Sequence, residues 1–413
     1  MNTMAMLSVA AFICLAAHLA MQRNFAHPGA VHGALWLVIS LAYIFFQSEL
    51  NYLSPQVLVA LVLGIVAFSI GIGTGARFAS LKTQSPAPIG HVPLPAIIVV
   101  ISTIGLAMMT FQAIEYVRPW ANTYTRSDGT IVLVGPVSWL HLLRFELVAN
   151  HKGSLGIGSY VLNFCFAGAA YLILYFRRVR PTLWLWPTLA LALAFAIVST
   201  GRTFILLLGC IVLGAAMPTD SRRKHMVLAT AILLAVGAFF LLPWMQGRFF
   251  LADRAFVTSA LSYFLMPMAA LDHLVAADLQ ATWGGLTFRT PLAVLRAIGV
   301  PVAVPDLVQP FVKVPAEINV YTVFSPYYRD FGLVGIATFM LLLGSLHGWV
   351  FRQLKTGAPI IIVANALLFY ALLMQFFQDQ YFSLLSQWIQ ILGWTYVFNK
   401  LRPVPGITNR DRP

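Results

Sequence analysis

The stretch that decides the fold is PQVLVALVLGIVAFSIGIG, residues 55–73, in which no side chain carries a charge. A hydrocarbon core about 30 Å thick is crossed by roughly 20 apolar residues in a helix that rises about 1.5 Å per residue. Residues 55–73 therefore read as a membrane span. Ten further stretches qualify or come close: 4–20, 30–46, 94–114, 157–176, 182–199, 203–217, 226–243, 331–350, 358–374 and 382–398. The pair 182–199 and 203–217 is separated only by Thr200-Gly201-Arg202. That break is either a tight turn at one membrane face or an interruption within the bilayer.

The composition of the whole chain agrees. Its 413 residues are 60% apolar and 9% charged, with a mean hydropathy of +0.82. Soluble domains run at about 45–50% apolar and 25% charged, so a water-soluble fold is excluded. Cys14, Cys165 and Cys210 lie far apart inside apolar stretches. They provide neither a disulfide framework nor a metal-ligand cluster, and they read as small buried residues.

The net charge of +13 is distributed unevenly. Turns after alternate spans hold Arg23, Arg77, Lys82, Arg177, Arg178, Arg180, Arg222, Arg223, Lys224, Arg352, Lys355, Lys400, Arg402, Arg410 and Arg412, with only Asp220 and Asp411 beside them. The opposite side carries the remaining 11 cations and 11 acids. Basic residues mark the cytoplasmic face, so the amino terminus is expected outside and the carboxyl terminus inside. The basicity thus points to an inner leaflet and not to nucleic acid. The first span is not a cleaved signal peptide on this reading, because no basic residue precedes it.

Two outer segments are too long to be turns: 115–156 and 244–330. They keep Trp120, Trp139, Phe249, Phe250, Phe256, Tyr263, Trp283, Phe288 and Phe311, more apolar bulk than a solvated linker carries. Residues 137–149 and 253–280 have helical patterns, the second with Asp253 as a cap and Pro267 as a kink. Such helices outside the spans are expected to lie in the interface plane. Pro301, Pro305, Pro310 and Pro315 then force extended or turning backbone up to Glu317. The fold class is thus an all-α polytopic membrane protein of about 11 spans. It forms a single transmembrane domain over 1–413, with two large outer loops carrying interfacial helices.

The second loop holds Arg248, Arg254, Arg289, Arg296, Lys313 and Arg329, five arginines to one lysine. Arginine's planar fork matches phosphate oxygens bidentately. Arg202 opens a helix, where free backbone N–H groups and the dipole already favour an anion. These cations suit a diphosphate pocket, and the alternative is pairing with Asp253, Asp272, Asp278 and Glu317. Glu317 and Asp330 are acids near the membrane surface, and either is a candidate general base. For Asp330, capping of the helix that follows competes with that role. Asn319, Tyr321, Tyr327 and Tyr328 are candidate sugar contacts, the tyrosines alternatively forming an interfacial belt. There is no HxxxH pair, no outer His near a Cys, no outer Asp-x-Asp, no P-loop and no dinucleotide fingerprint. Neither a metal site nor a nucleotide cofactor is expected.

Asn319-Val320-Tyr321-Thr322, Pro326-Tyr327, Asp330-Phe331-Gly332 and Gly335 resemble the signature before a late span of bacterial O-antigen polymerases, the Wzy-type oligosaccharide repeat-unit polymerases. Thr200-Gly201-Arg202-Thr203 ahead of a leucine-rich helix resembles a second motif of that family, and Tyr263, Gly284-Gly285 and Thr287-Phe288 fall in the expected order. The resemblance covers about 199–345, and the first 150 residues match only in hydropathy. It implies a GT-C-like glycosyltransferase on the periplasmic face of the bacterial inner membrane. The implied donor is a growing glycan on undecaprenyl diphosphate, and the implied acceptor is one repeat unit on a second such lipid. Inversion at the anomeric carbon and a chain-length regulator as partner come with the same implication, whereas metal independence is expected from the absent outer Asp-x-Asp. The competing readings are an O-antigen ligase, which shares the donor, and a lipid-linked oligosaccharide flippase. A flippase should carry mid-span charges and repeated halves, and the spans here are nearly free of charge.

Overall fold

The computed structural model describes residues 3–22, 24, 26–50, 52–79, 94–120, 135–148, 155–176, 183–216, 256–277, 282–306, 309–314 and 317–401. In chain order the helices are α1 (Thr3–Gln22), α2 (Pro28–Phe45), the single turn α3 (Gln47–Leu50), α4 (Pro55–Phe78), α5 (Leu94–Val117), α6 (Gly135–Val148), α7 (Gly158–Phe176), α8 (Leu185–Val198) and α9 (Arg202–Ala216). They continue with α10 (Phe256–Ala276), α11 (Arg289–Ala297), α12 (Ser325–Gln353), α13 (Pro359–Leu373) and α14 (Leu385–Leu401). Between α11 and α12, strands β1 (Val312–Lys313) and β2 (Glu317–Ile318) pair antiparallel.

Ten of the eleven apolar stretches fall on described helices, and 226–243 lies outside the described residues. Among the described residues, five helical segments are long and apolar enough to cross a membrane: Met4–Gln22, Pro28–Phe45, Pro55–Phe78, Leu94–Val117 and Ser325–Thr356. Shorter apolar helices accompany them, as in an all-α membrane protein. The helical patterns in the two long loops correspond to α6 and α10, with Pro267 inside α10. The proline-rich stretch is irregular up to the small hairpin. Thr200 takes a positive φ of 56° in the break between α8 and α9, and these two helices pack on each other. That break is a tight turn.

The chain divides into two compact units. The first comprises Met1–Lys82, Ala255–Thr356 and Leu368–Ser386, and the second Thr83–Arg254, Gly357–Leu367 and Gln387–Pro413. In the second, α5 packs against α7 and α8, and α7 against α9. Phe164 meets Trp394 and Phe398 edge-on, and Asn163 Nδ2 donates to Gln390 Oε1 (3.0 Å).

The first unit is built on α4 and α12. Ser54 caps α4, its hydroxyl accepting from Val57 N–H, and Pro55 occupies the first turn, where a missing N–H costs nothing. The Asp272 carboxylate of α10 accepts from the Ser54 N–H (3.0 Å) and hydroxyl, placing negative charge at the positive end of α4. Further along, a Cβ added at Gly71 or Gly75 would overlap the carbonyls of Leu341 or Ser345, and one at Gly344 or Gly348 those of Phe68 or Ile72. Two glycine pairs, each spaced by four, thus bring the backbones of α4 and α12 into direct contact. Between apolar helices, close van der Waals approach of this kind substitutes for the hydrophobic drive that lipid removes.

Residues 325–353 are not one straight helix. Gly332 (φ 63°, ψ −150°) breaks them into a short arm and a long one. The arms lie side by side: a Cβ at Gly335 would overlap Tyr327 O, and the rings of Tyr327 and Phe331 stack on Phe339 with centroids 5.0 and 5.7 Å apart. The chain entering this hairpin goes deep. The Phe324 ring fills the space over Gly64 and lies 5.2 Å from Trp36. Gly64 is nine residues along α4 from Pro55, about 14 Å at the helical rise. Residues 319–324 therefore descend beside α4, the short arm climbs back, and Gly332 turns the chain down again. The span expected at 331–350 is the long arm alone.

The stretch 375–381, between α13 and α14, also goes deep. Gln375 meets His32 and Trp36 of α2, and His32 in turn lies beside Ile65 and Phe68 of α4. Irregular backbone survives inside an apolar bundle only when its polar groups are satisfied from within.

The glycine contact sets a paired test. Replacing Gly75 with Leu should destabilise the detergent-solubilised protein by about 2 kcal/mol or more, because backbone cannot retreat as a side chain can. Gly73→Ala, where an added Cβ meets nothing within 4 Å, should be neutral or stabilising by up to about 1 kcal/mol. Thermal melts of the two variants compare them; equal midpoints would contradict the packing.

Candidate functional site

Asp330 ends the short arm of α12 and is wholly buried. Its Oδ2 accepts from Thr287 N–H (2.7 Å), and its Oδ1 from Leu286 N–H (3.3 Å) and the Thr282 hydroxyl. Thr282 N–H also donates to Arg329 O (3.1 Å). One carboxylate thus grips the turn 282–288, TWGGLTF, and holds it to the Gly332 reversal. The turn spends two positive φ values on its shape, 48° at Trp283 and 90° at Gly284. Glycine adopts such angles freely, whereas a bulky residue there costs about 1 kcal/mol or more. Trp283 is nonetheless 82% exposed, so no burial offsets that cost.

Asp330 therefore faces inward: each oxygen is already accepting, and neither oxygen caps the following helix. Glu317 is the exposed acid of the pair, on β2 opposite Lys313. Arg289 opens α11, with Nε donating to Pro305 O (2.8 Å). Burial lowers its guanidinium pKa, an effect the nearby Asp306 charge opposes. Arg329 donates from Nη1 to Gln309 Oε1 (2.9 Å), while its Nε is buried without a partner. Neither arginine forms an ion pair with a described carboxylate, and Asp272 serves α4 instead.

The sugar-contact candidates divide. Asn319 and Tyr328 are half-buried. Tyr321 is buried, with its hydroxyl donating to Pro310 O (2.9 Å); burial raises its phenol and the Arg329 charge lowers it. Tyr327 has no face open to a ligand: it is fully buried, stacked on Phe339, with its hydroxyl donating to Asp379 Oδ1 (2.9 Å). Arg202 is the first residue of α9 in the second unit, and its side chain lies outside the described residues, as does that of Tyr263. Arg248, Arg254, Asp253 and Asp278 lie outside them altogether. Among the described residues, no three His, Cys, Asp or Glu side chains gather as a metal-ligand set.

A polar network under this site was not anticipated. Gln375 Oε1 accepts from His32 Nδ1 (2.8 Å) and Trp36 Nε1–H (3.2 Å), and its Nε2 donates to the Tyr381 hydroxyl (3.0 Å). With that oxygen accepting, the Tyr381 proton goes to His347 Nε2 (2.9 Å), which fixes the His347 tautomer. The Gln375 carbonyl accepts from Val323 N–H (2.8 Å), pinning the deep end of 319–324. Next door, Asp379 accepts from Tyr327 and from the N–H groups of Tyr381, Phe382 and Ser383. Burial raises the Asp379 carboxyl above its usual range, and these four donors pull the other way. The sequence signal was the polar run Gln378-Asp379-Gln380 directly after an apolar stretch.

No family model, curated protein or solved structure matches the chain.

The Asp330 clamp is testable by exchange. Asp330→Ala strands the Thr282 hydroxyl and two amides, at a cost on the order of 3 kcal/mol. Amide exchange by mass spectrometry should speed up in peptides covering 282–288 while those from α5 and α7 stay unchanged. Unchanged exchange in 282–288 would mean that the turn does not depend on the carboxylate.

Proposed function

We propose that this chain is an O-antigen polymerase: a membrane glycosyltransferase that joins undecaprenyl-diphosphate-linked oligosaccharide repeat units. One observation carries the reading most. Two separate stretches of the family resemblance, Gly284-Gly285 with Thr287-Phe288 and Asp330-Phe331-Gly332, meet in one cluster. Thr287 N–H bonds to Asp330, and Gly284 packs against the Phe331 ring. In this proposal the helices are eleven spans of a GT-C-like protein in the bacterial inner membrane. The amino terminus and both long loops are periplasmic, and the carboxyl terminus is cytoplasmic.

The chemistry is a substitution at the donor's anomeric carbon. A hydroxyl of the acceptor's terminal sugar forms the new C–O bond, and the bond to the diphosphate breaks. Undecaprenyl diphosphate leaves with the electron pair, and the hydroxyl proton passes to a base. No ATP is consumed, since the diphosphate is already a competent leaving group once its charge is held. Arg289 and Arg329, which form no ion pair with a described carboxylate, are suited to hold it, together with Arg202, Arg248 and Arg254. Glu317 is the base by exposure; Asp330 contributes by positioning the turn. Asn319, Tyr321 and Tyr328 remain the sugar-contact candidates, and a chain-length regulator is the expected protein partner.

Two other readings are kept. An O-antigen ligase uses the same donor and passes the glycan to lipid A-core. A lipid-linked oligosaccharide transporter is favoured by the His32–Gln375–Tyr381–His347 network, since polar groups within spans often mark a transport path. That network, however, joins two buried histidines to Trp36, Gln375 and Tyr381 and contains no Asp, Glu, Lys or Arg side chain.

Deleting the gene and separating surface polysaccharide by electrophoresis tests all three. A polymerase leaves core bearing one repeat unit and no ladder. A ligase leaves unmodified core with lipid-linked polymer accumulating outside. A transporter leaves lipid-linked single units trapped inside. In the deletion strain, Arg202→Ala should restore no ladder and Arg202→Lys little, because bidentate geometry is lost. A wild-type ladder from Arg202→Ala would remove that arginine from the site.

A further inference from the structure

We propose that Trp283 is a stacking platform for the acceptor's sugar ring, an inference that rests on the glycosyltransferase reading above. Trp283 is the most exposed large apolar side chain among the described residues, at 82%. It also holds one of the two positive φ values found on non-glycine residues among them. Neither feature serves packing. The backbone around it is fixed on both sides, by Thr282 N–H on Arg329 O and by the Thr282 hydroxyl, Leu286 N–H and Thr287 N–H on Asp330. A strained backbone persists where the surrounding structure over-determines it, and such places cluster at ligand sites.

The same clamp ties the turn that carries Trp283 to a segment with groups suited to a glycan. Arg329 is bonded directly to this turn, and Tyr321 lies within reach of the Arg329 charge. An indole presents a broad apolar face to the C–H side of a pyranose, and its N–H remains free for a hydroxyl. A ring held rigidly loses little freedom on binding, which is the advantage a strained, clamped turn confers. A lipid anchor gains nothing from such rigidity, because an interfacial tryptophan works in many orientations.

Three variants of the full-length protein in proteoliposomes test this: Trp283→Gly, Trp283→Phe and Trp283→Leu. Glycine accepts a φ of 48° without strain, so Trp283→Gly should melt at or above the wild-type temperature. Its KM for the lipid-linked repeat unit as acceptor should rise roughly tenfold, the loss of about one aromatic contact, with kcat held. Phenylalanine should stay within about twofold of wild type, and leucine should be as poor as glycine. Calorimetric binding of the soluble repeat-unit oligosaccharide, freed from lipid, gives a readout independent of turnover, and Trp283→Gly should weaken it by the same factor. Leucine matching phenylalanine would mean a lipid anchor, and an unchanged KM and affinity in Trp283→Gly would mean no ligand role. Either overturns the proposal. A wild-type protein that neither transfers nor binds the oligosaccharide would instead overturn the glycosyltransferase reading itself.

Discussion

An apolar helical bundle offers no water to backbone groups that are not in helices, and this constraint shapes the first unit. Two irregular stretches run deep beside α2 and α4, and each must find its hydrogen bonds inside the protein. Gln375 supplies most of the answer. Its carbonyl receives Val323 N–H, and its side-chain amide joins His32 and Trp36 on α2 to Tyr381 on its own loop. Asp379 does the same for the loop's next residues and for Tyr327. Leaving one such group unpaired costs about 1–3 kcal/mol, so the junction favours a complete network over a partial one.

The glycine contact between α4 and α12 sets the height at which that junction forms. With Phe68 against Gly344 and Ile72 against Gly348, the long arm of α12 is fixed in register on α4. Gly332 then lies near the start of α4, and the short arm folds back from there. The end of that arm is Asp330, so the turn 282–288 is bonded to the same point. Close packing between two long helices thereby positions Trp283, Arg289 and Arg329, none of which belongs to either long arm.

Much of this was legible from residue order, and the rest was not for identifiable reasons. Uncharged stretches such as 55–73 and 94–114 announce helices by hydropathy alone, and 301–315 announces irregular backbone by its prolines. The hairpin at Gly332 was not legible, because a reversal inside an apolar segment leaves average hydropathy unchanged. A Gly at the end of Asp-Phe-Gly was its only trace. Asp330 stood out as an acid near a helix start, but a carboxylate read alone does not reveal that backbone amides 43 and 44 residues earlier in sequence approach it. Tyr327 looked suited to a sugar ring for the same reason: an aromatic's exposure depends on Phe339 and Asp379, far along the chain. Gln375 carries no charge and belongs to no short motif, so nothing local marks it.

In the proposed transfer reaction one carboxylate positions a turn, two arginines that form no ion pair with a described carboxylate hold an anion, and an exposed acid takes a proton. The most direct test is to purify the protein, reconstitute it in proteoliposomes and supply only the undecaprenyl-diphosphate-linked repeat unit. The account expects a ladder of lipid-linked products at integer multiples of the repeat unit, with one undecaprenyl diphosphate released per linkage. Folded protein that leaves the repeat unit unextended, yet transfers it to lipid A-core or moves it across the bilayer, would contradict it.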